Sequence, residues 1–220
     1  MNIYNFIKQH IKNDSVFFEI GTHFGFDTEK FTKLTQNIHC FEPDPRNIEI
    51  FKKLNLNVKF NEYALSDMDG VSDFYLSSGN VYESKYGPTD NNFVNNNDWS
   101  ASSSLMLPKN HIKKTPWVKF NNIIQIKTKK LETYCLENNI NKIDFVWMDV
   151  QGAELNVING MGGFKQKIHY IYTEYSDEEL YTNQPNKNKI LENMGDMWKV
   201  VFDFGGDILL ENKNYLEKTI

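Results

Sequence analysis

Short apolar runs alternate with stretches whose apolar residues recur every three or four positions. Val16-Phe17-Phe18-Glu19-Ile20 is a run of strand formers that ends in a glycine-bearing loop. Asp27 to Thr35 then reads as a helix, with Phe31 and Leu34 on one face. Ile38-His39-Cys40-Phe41 predicts a second strand, stopped by Pro43 and Pro45, whose rings fix φ and remove backbone donors. Asn47 to Leu54 carries Ile48, Phe51 and Leu54 at helical steps, and Val58-Lys59-Phe60 predicts a third strand leading into Tyr63-Ala64-Leu65. Beyond the Asp69-Gly70 turn signal, Val71 to Leu76 alternates as an exposed strand does. The pattern resumes at Ile123-Ile124-Gln125-Ile126, followed by a helix from Leu131 to Asn138 with Leu131, Cys135 and Leu136 expected inward. Ile143 to Val150 reads as a buried strand, Ala153 to Asn159 as a helix and Ile168 to Glu174 as a strand. Val200 to Phe204 and Asp207 to Leu210 predict a terminal hairpin around Gly205-Gly206. Strands and helices in this alternation predict an α/β, Rossmann-like fold whose mostly parallel sheet is covered by helices.

Residues 77–117 break the pattern. They contain Asn95-Asn96-Asn97 and Ser102-Ser103-Ser104 and no clear period. A stretch this long between strands is either functional or poorly ordered.

Composition narrows the function classes. The 220 residues fit one large domain, expected over 1–220, and no linker or internal repeat divides them. A net charge of −5 gives no general electrostatic grip on nucleic acid. Cys40 and Cys135 stand far apart with no metal or redox spacing, which points to a reducing, cytoplasmic compartment. Met1 to Lys8 reads as a short amphipathic helix without the apolar core of a signal peptide. No stretch approaches the roughly 20 apolar residues needed to span a bilayer, so no membrane partner is expected. The histidines, His10, His23, His39, His111 and His169, show no metal-ligand spacing.

The strongest local signal is Glu19-Ile20-Gly21-Thr22-His23-Phe24-Gly25, between a strand and a helix. Glycine there permits a tight turn and lets a ligand lie against bare backbone. A dinucleotide site favours G-x-G-x-x-G. Here Glu19 stands two positions before Gly21, and an anion there repels a pyrophosphate but suits the ammonium and sulfonium of S-adenosylmethionine. Glu42 ends the next strand, about twenty residues on, where an acid can accept hydrogen bonds from both ribose hydroxyls. Pro43 and Pro45 stiffen that turn.

A third motif extends this reading. Asp144-Phe145-Val146-Trp147-Met148-Asp149-Val150-Gln151-Gly152-Ala153-Glu154 resembles the signature of the FkbM-type methyltransferases, in which a strand ends in Asp-Val-Glu-Gly-Ala-Glu. The resemblance extends to residues 19–25, Phe41-Glu42-Pro43, Ala64-Leu65-Ser66-Asp67, Ser102-Ser103-Ser104-Leu105, Val157-Ile158-Asn159-Gly160 and Ile171-Tyr172-Thr173-Glu174. It departs where Glu19 replaces a common Asp, His23 a common Asn and Gln151 the usual Glu. The resemblance implies a class I methyltransferase fold, a twisted seven-stranded sheet with the last strand antiparallel. It also implies O-methylation of a small-molecule or glycan hydroxyl, often on a sugar, with S-adenosylmethionine as cofactor.

Within that frame the expected cofactor residues are Glu19, Gly21, Thr22, His23, Gly25, Glu42 and Pro43, with Ala64 and Leu65 against adenine. Asp149 ends a strand at the carboxyl edge of the sheet, where ligands bind in open α/β folds. It is the candidate to accept the hydroxyl proton, or to ligate a divalent metal that lowers the hydroxyl's pKa, with helix capping as the alternative. Glu174 ends the next strand on the same edge and is expected to converge with it. Two carboxylates are too few to assign a metal. Glu154 is expected to compensate a helix dipole, and His111 is a distant candidate base. Residues 77–117 are expected to form an acceptor lid, offering the hydroxyls of Ser102 to Ser104 and the rings of Tyr82, Tyr86, Trp99 and Trp117. Two alternatives stand: a non-catalytic nucleotide-binding module of the same fold, and, disfavoured by Glu19, a nucleotide-dependent oxidoreductase.

Overall fold

The structure is a computed structural model that describes residues 1–80 and 99–215. Its main sheet has seven strands: β1 (Val16–Ile20), β2 (Asn37–Phe41), β3 (Lys59–Asn61), β7 (Ile143–Met148), β8 (Ile168–Glu174), β9 (Trp198–Asp203) and β10 (Asp207–Asn212). They lie in the order β3-β2-β1-β7-β8-β10-β9. β1, β2, β3, β7 and β8 pair in parallel, and β10 is antiparallel to both β8 and β9. The order reverses between β1 and β7, so their carboxyl ends open a crevice at the sheet's switch point.

Because successive strand residues face opposite ways, each central strand feeds two cores. Phe17, Cys40, Phe145 and Leu209 face α1 (Ile3–His10), α2 (Phe26–Phe31) and α3 (Pro45–Lys53). Phe18, Phe41, Val146, Ile171 and Leu210 face α5 (Leu131–Glu137), α6 (Glu154–Gly160) and α7 (Lys187–Met194). Burial at about 25 cal/mol per Å2 of apolar surface on both faces stabilises the layers. Asp44 caps α3 by accepting from the Arg46 N–H, and Pro45 fills the first turn, where a missing N–H costs nothing.

The sequence pattern misplaces several features. Leu136 is 69% exposed, because a helix turns about 100° per residue and Leu131, Tyr134 and Cys135 already occupy the inward face. α2 ends at Phe31 rather than Thr35, and α7 and the short α4 (His111–Lys114) were not foreseen. A second, three-stranded sheet is also new. It joins β4 (Ala64–Leu65), β6 (Lys119–Lys129) and β5 (Gly70–Ser78), with β6 parallel to β4 and antiparallel to β5. Phe74, Ile126 and Ala64 form its small core. Residues 77–80 and 99–117 of the expected lid are therefore largely structured. Its remainder, 81–98 with Tyr82, Tyr86 and Asn95 to Asn97, lies outside the described residues. No helix among the described residues is long and apolar enough to cross a membrane.

The small sheet docks through a glycine. A Cβ on Gly160, at the end of α6, would lie 1.9 Å from the Ser66 carbonyl oxygen, just past β4. Gly160→Ala should therefore lower stability by about 2–4 kcal/mol in urea unfolding, since backbone must move. Gly163→Ala, which meets only the Glu132 carboxylate at 3.3 Å, should cost less than about 1 kcal/mol in the same assay.

Candidate active site

A cavity of about 260 Å3 opens at the carboxyl ends of β1, β2 and β7. Its wall on one side is the β1–α2 loop. Gly21 has φ +86, and a Cβ on it would lie 1.8 Å from the Asp149 carbonyl oxygen, so only glycine lets this loop approach the end of β7. The Gly21 and Thr22 N–H groups both donate to the Phe41 carbonyl, at 2.9 and 3.2 Å, which ties the loop to β2. Gly25 faces elsewhere. A Cβ there would strike the Phe51 ring at 2.7 Å, so this glycine serves the packing of α2 against α3 and does not line the cavity.

Glu19 lies in the sheet between Cys40 and Trp147 and is buried. No basic side chain among the described residues pairs with it. Burial, with some help from Asp27, pushes its carboxyl up to about 8. Thr22 Oγ1, on the cavity wall, is buried and has no hydrogen-bond partner.

Glu42 is also buried, and its carboxylate accepts from the His23 N–H at 2.8 Å, the Asp44 N–H at 2.8 Å and the Asn47 amide at 3.2 Å. A carboxylate has about four acceptor sites, so these three donors leave room for one more. Burial pushes Glu42 up to about 7 despite them. Asn47 Oδ1 in turn accepts from the Ser100 hydroxyl at 2.6 Å. Ser100 Oγ lies 2.9 Å from His23 Nε2. Because the Ser100 proton is committed to Asn47, His23 donates from Nε2. Its ring is neutral, since burial lowers it to about 4. Glu42, Asn47, Ser100 and His23 thus close a ring of hydrogen bonds around the β2 end of the cavity.

Residues 99–107 are held down by their own serines. Ser103 Oγ donates to buried Asp44 at 3.0 Å, beside the Arg46–Asp44 ion pair. Ser104 Oγ donates to the Gln151 carbonyl at 2.7 Å, and Ser102 Oγ accepts from Trp99 Nε1 at 2.8 Å. These hydroxyls, expected to face an acceptor, fix the segment's conformation, and of the three only Ser103 lines the cavity. Trp99 and Trp117 pack edge to face on each other at 5.0 Å. His111 is buried against Ser102 and Thr115 and does not line the cavity. Pro43, Ala64, Leu65, Phe74 and Leu105 supply apolar wall, and the last two were not foreseen.

On the β7 side Asp149 lines the cavity and Glu174 stands behind it. The two converge as expected. The Gln151 amide donates to Asp149 Oδ1 at 2.6 Å and lies 3.4 Å from Glu174 Oε2. Asp149 does not cap α6, whose N-cap is Ala153; Glu154, in its first turn, accepts from the Gly152 N–H at 3.0 Å. Burial raises Asp149, while the Asp149 charge, then burial, pushes Glu174 well above the carboxylate range. Among the described residues no group of three or more His, Cys, Asp or Glu is arranged to hold a metal ion.

Comparison with known proteins places this geometry. The model of the methyltransferase FkbM domain matches residues 19–208. The chain is 37% identical over 210 residues to the 2-O-methyltransferase NoeI of Sinorhizobium fredii (strain NBRC 101917 / NGR234), covering 91% of this chain and 81% of that protein. Among solved structures it resembles the methyltransferase FkbM from Methylobacillus flagellatus KT, with a TM-score of 0.51, 12% identity and 91% of this chain covered. The chain spans only 44% of that structure's length. A Clostridium thermocellum protein provisionally described as an rRNA-methylase gives a TM-score of 0.50 at 12% identity, covering 96% of this chain and 93% of that one. At such identities these two likenesses show the fold alone.

The unpaired Glu19 has a measurable signature. Its carboxyl titrates at about 8 in the folded protein and at 4.5 when free, so the folded state holds a proton that the unfolded state has lost. Stability of the ligand-free protein should fall as pH rises between those values, by roughly 2–4 kcal/mol. Glu19→Gln should flatten that part of the curve in urea midpoints recorded from pH 5 to 8. A slope unchanged by the substitution would place the buried proton elsewhere.

Proposed function

The chain belongs to the FkbM methyltransferase family, and from that premise we propose that it transfers a methyl group from S-adenosylmethionine to a hydroxyl of a small polar acceptor, a sugar or glycan. The observation that carries the reading is one cavity with two chemically different ends. One end holds buried acids without basic partners, and the other holds Asp149 with its carboxyl partner.

The residues fit the cofactor's chemistry. Glu19 suits a cationic ligand, which would restore the charge that burial now suppresses. Glu42 has an acceptor site left for a ribose hydroxyl, and Thr22 Oγ1 lacks a partner. Gly21 and His23 shape the loop beside them, while Gly25 supports it from behind. Pro43, Ala64, Leu65, Phe74 and Leu105 give an apolar surface for adenine. When bound, S-adenosylmethionine supplies an electrophilic methyl group on a sulfonium. Asp149 would accept the proton of the acceptor hydroxyl and so leave its oxygen free to take the methyl group. Glu174 supports Asp149 from the next strand. Ser100, Ala101, Ser103 and Leu105 form one wall of the cavity that both would share.

Oxygen as the accepting atom is supported by the relative named a 2-O-methyltransferase. A small acceptor rather than nucleic acid is supported by the net charge of −5. A cytoplasmic setting is supported by two free, buried cysteines. A single domain over residues 1–220 is supported by both cores sharing one sheet.

Calorimetry should detect binding of S-adenosylmethionine and S-adenosylhomocysteine, with no competition from NAD. Glu42→Ala should weaken that binding by about 1–3 kcal/mol through the loss of a charged acceptor. A panel of glycans and nucleotide sugars with labelled methyl donor should give turnover that Asp149→Asn abolishes. Folded protein that binds neither sulfur nucleotide contradicts the assignment. Tight binding with full activity in Asp149→Asn would keep the cofactor and remove the base.

A further inference from the structure

Gln151 is held in an uncommon place. Its φ is +52, a region that residues other than glycine enter at a cost, and Gly152 beside it has φ +94. The loop is clamped from two sides. Ser104 Oγ donates to the Gln151 carbonyl at 2.7 Å, and a Cβ on Gly152 would lie 3.0 Å from Tyr181. The Tyr181 hydroxyl donates to the Ser102 carbonyl at 2.8 Å and stands 3.5 Å from Gln151 Oε1, while the Gln151 Nε2 donors face the two carboxyl groups. Nε2 is 2.6 Å from Asp149 and 3.4 Å from Glu174, so its hydrogen bond favours the charge on Asp149.

We propose that Gln151 is a positioning residue whose amide stands between Asp149 and Glu174 where a cation would otherwise be needed, holding Asp149 as the ionised member and Glu174 as the protonated one. The inference rests on the reading of Asp149 as proton acceptor. Two carboxyls this close cannot both ionise without a compensating charge. Among the described residues the groups facing them supply none: Asp207 on β10, Tyr172 on β8, Glu154 on α6, Asp27 on α2 and Tyr181 are acidic or neutral. A neutral amide leaves one proton in the pair and fixes where it sits. The glutamate common at this position in the family pattern would instead add a third acid.

The test reads the pair without an acceptor. Carboxyl carbons of Asp and Glu are labelled with carbon-13 and titrated by NMR with S-adenosylhomocysteine present, Asp149→Asn and Glu174→Gln giving the assignments. At pH 7 the Glu174 carboxyl should be protonated and that of Asp149 ionised. In Gln151→Leu, loss of the donor should move the Asp149 titration up by about one pH unit. Gln151→Met serves if the leucine variant does not fold. In Gln151→Glu, magnesium should shift both resonances, while leaving those of the wild type in place. An Asp149 titration unmoved in a folded Gln151 variant overturns the proposal, as does a wild-type pair that is doubly ionised or shifted by magnesium. Loss of turnover in Asp149→Asn alongside that result would leave the base assignment standing, so the two failures are distinguishable.

Discussion

The site depends on one close approach, that of the Gly21 backbone to the Asp149 carbonyl. No side chain fits there, since a Cβ would sit 1.8 Å from the oxygen. The contact exists because β1 and β7 pair in parallel across the point where the sheet order reverses, and their two exit loops must share one crevice. It brings the end of β1, with Glu19 and the His23 loop that follows, beside the end of β7, with Asp149 and the Gln151 loop that follows. The Glu19–Glu42 end and the Asp149 end of the cavity are thereby set at fixed separation by backbone rather than by flexible side chains. That rigidity matters for a transfer in which donor carbon and acceptor oxygen must be held in line at close range.

The second sheet and residues 99–107 add walls to this crevice. Their attachment is polar. Ser100 joins the ring of Glu42, Asn47 and His23, Ser103 joins Asp44 and Arg46, and Ser104 joins the Gln151 carbonyl. Such bonds contribute about 1 kcal/mol each when made and cost more when left half made, so the segment is held cooperatively. The same network touches both ends of the site. Ser100 acts on the β2 side and Ser104 on the β7 side, so the same wall also holds the backbone of Gln151 beside Asp149.

Much of this was legible in the chain. Ile168 to Glu174 forms a strand with the expected ends, and the hairpin turns at Gly205-Gly206 as the glycines require. Glu19, Gly21, Glu42 and Asp149 meet in one cavity because strand-end positions in a parallel sheet share an edge, which sequence spacing encodes directly. The second sheet was not legible. β6 runs from Lys119 to Lys129 through Asn121-Asn122 and three lysines, and only one shallow face is buried, so its period-two signal is weak. α7 carried a readable signal that the pattern reading missed. Asn186 caps it by accepting from the Lys189 N–H, and Ile190 and Met194 lie one turn apart on its buried face. The roles of Ser100 and Ser103 could not be read, because their partners Asn47 and Asp44 are 53 and 59 positions away. Gly25, expected among the cofactor residues, lies outside the cavity lining, where its φ of +84 and its closeness to Phe51 and Leu54 favour glycine.

The central claim is that one cavity seats the cofactor at the Glu19–Glu42 end and presents its sulfur toward Asp149. A crystal structure of the complex with S-adenosylhomocysteine tests it most directly. The account predicts the ribose hydrogen-bonded to Glu42, adenine between Leu65 and Phe74, and the sulfur open toward Asp149. A nucleoside bound outside this cavity, or bound within it with the sulfur turned away from Asp149, would contradict the account.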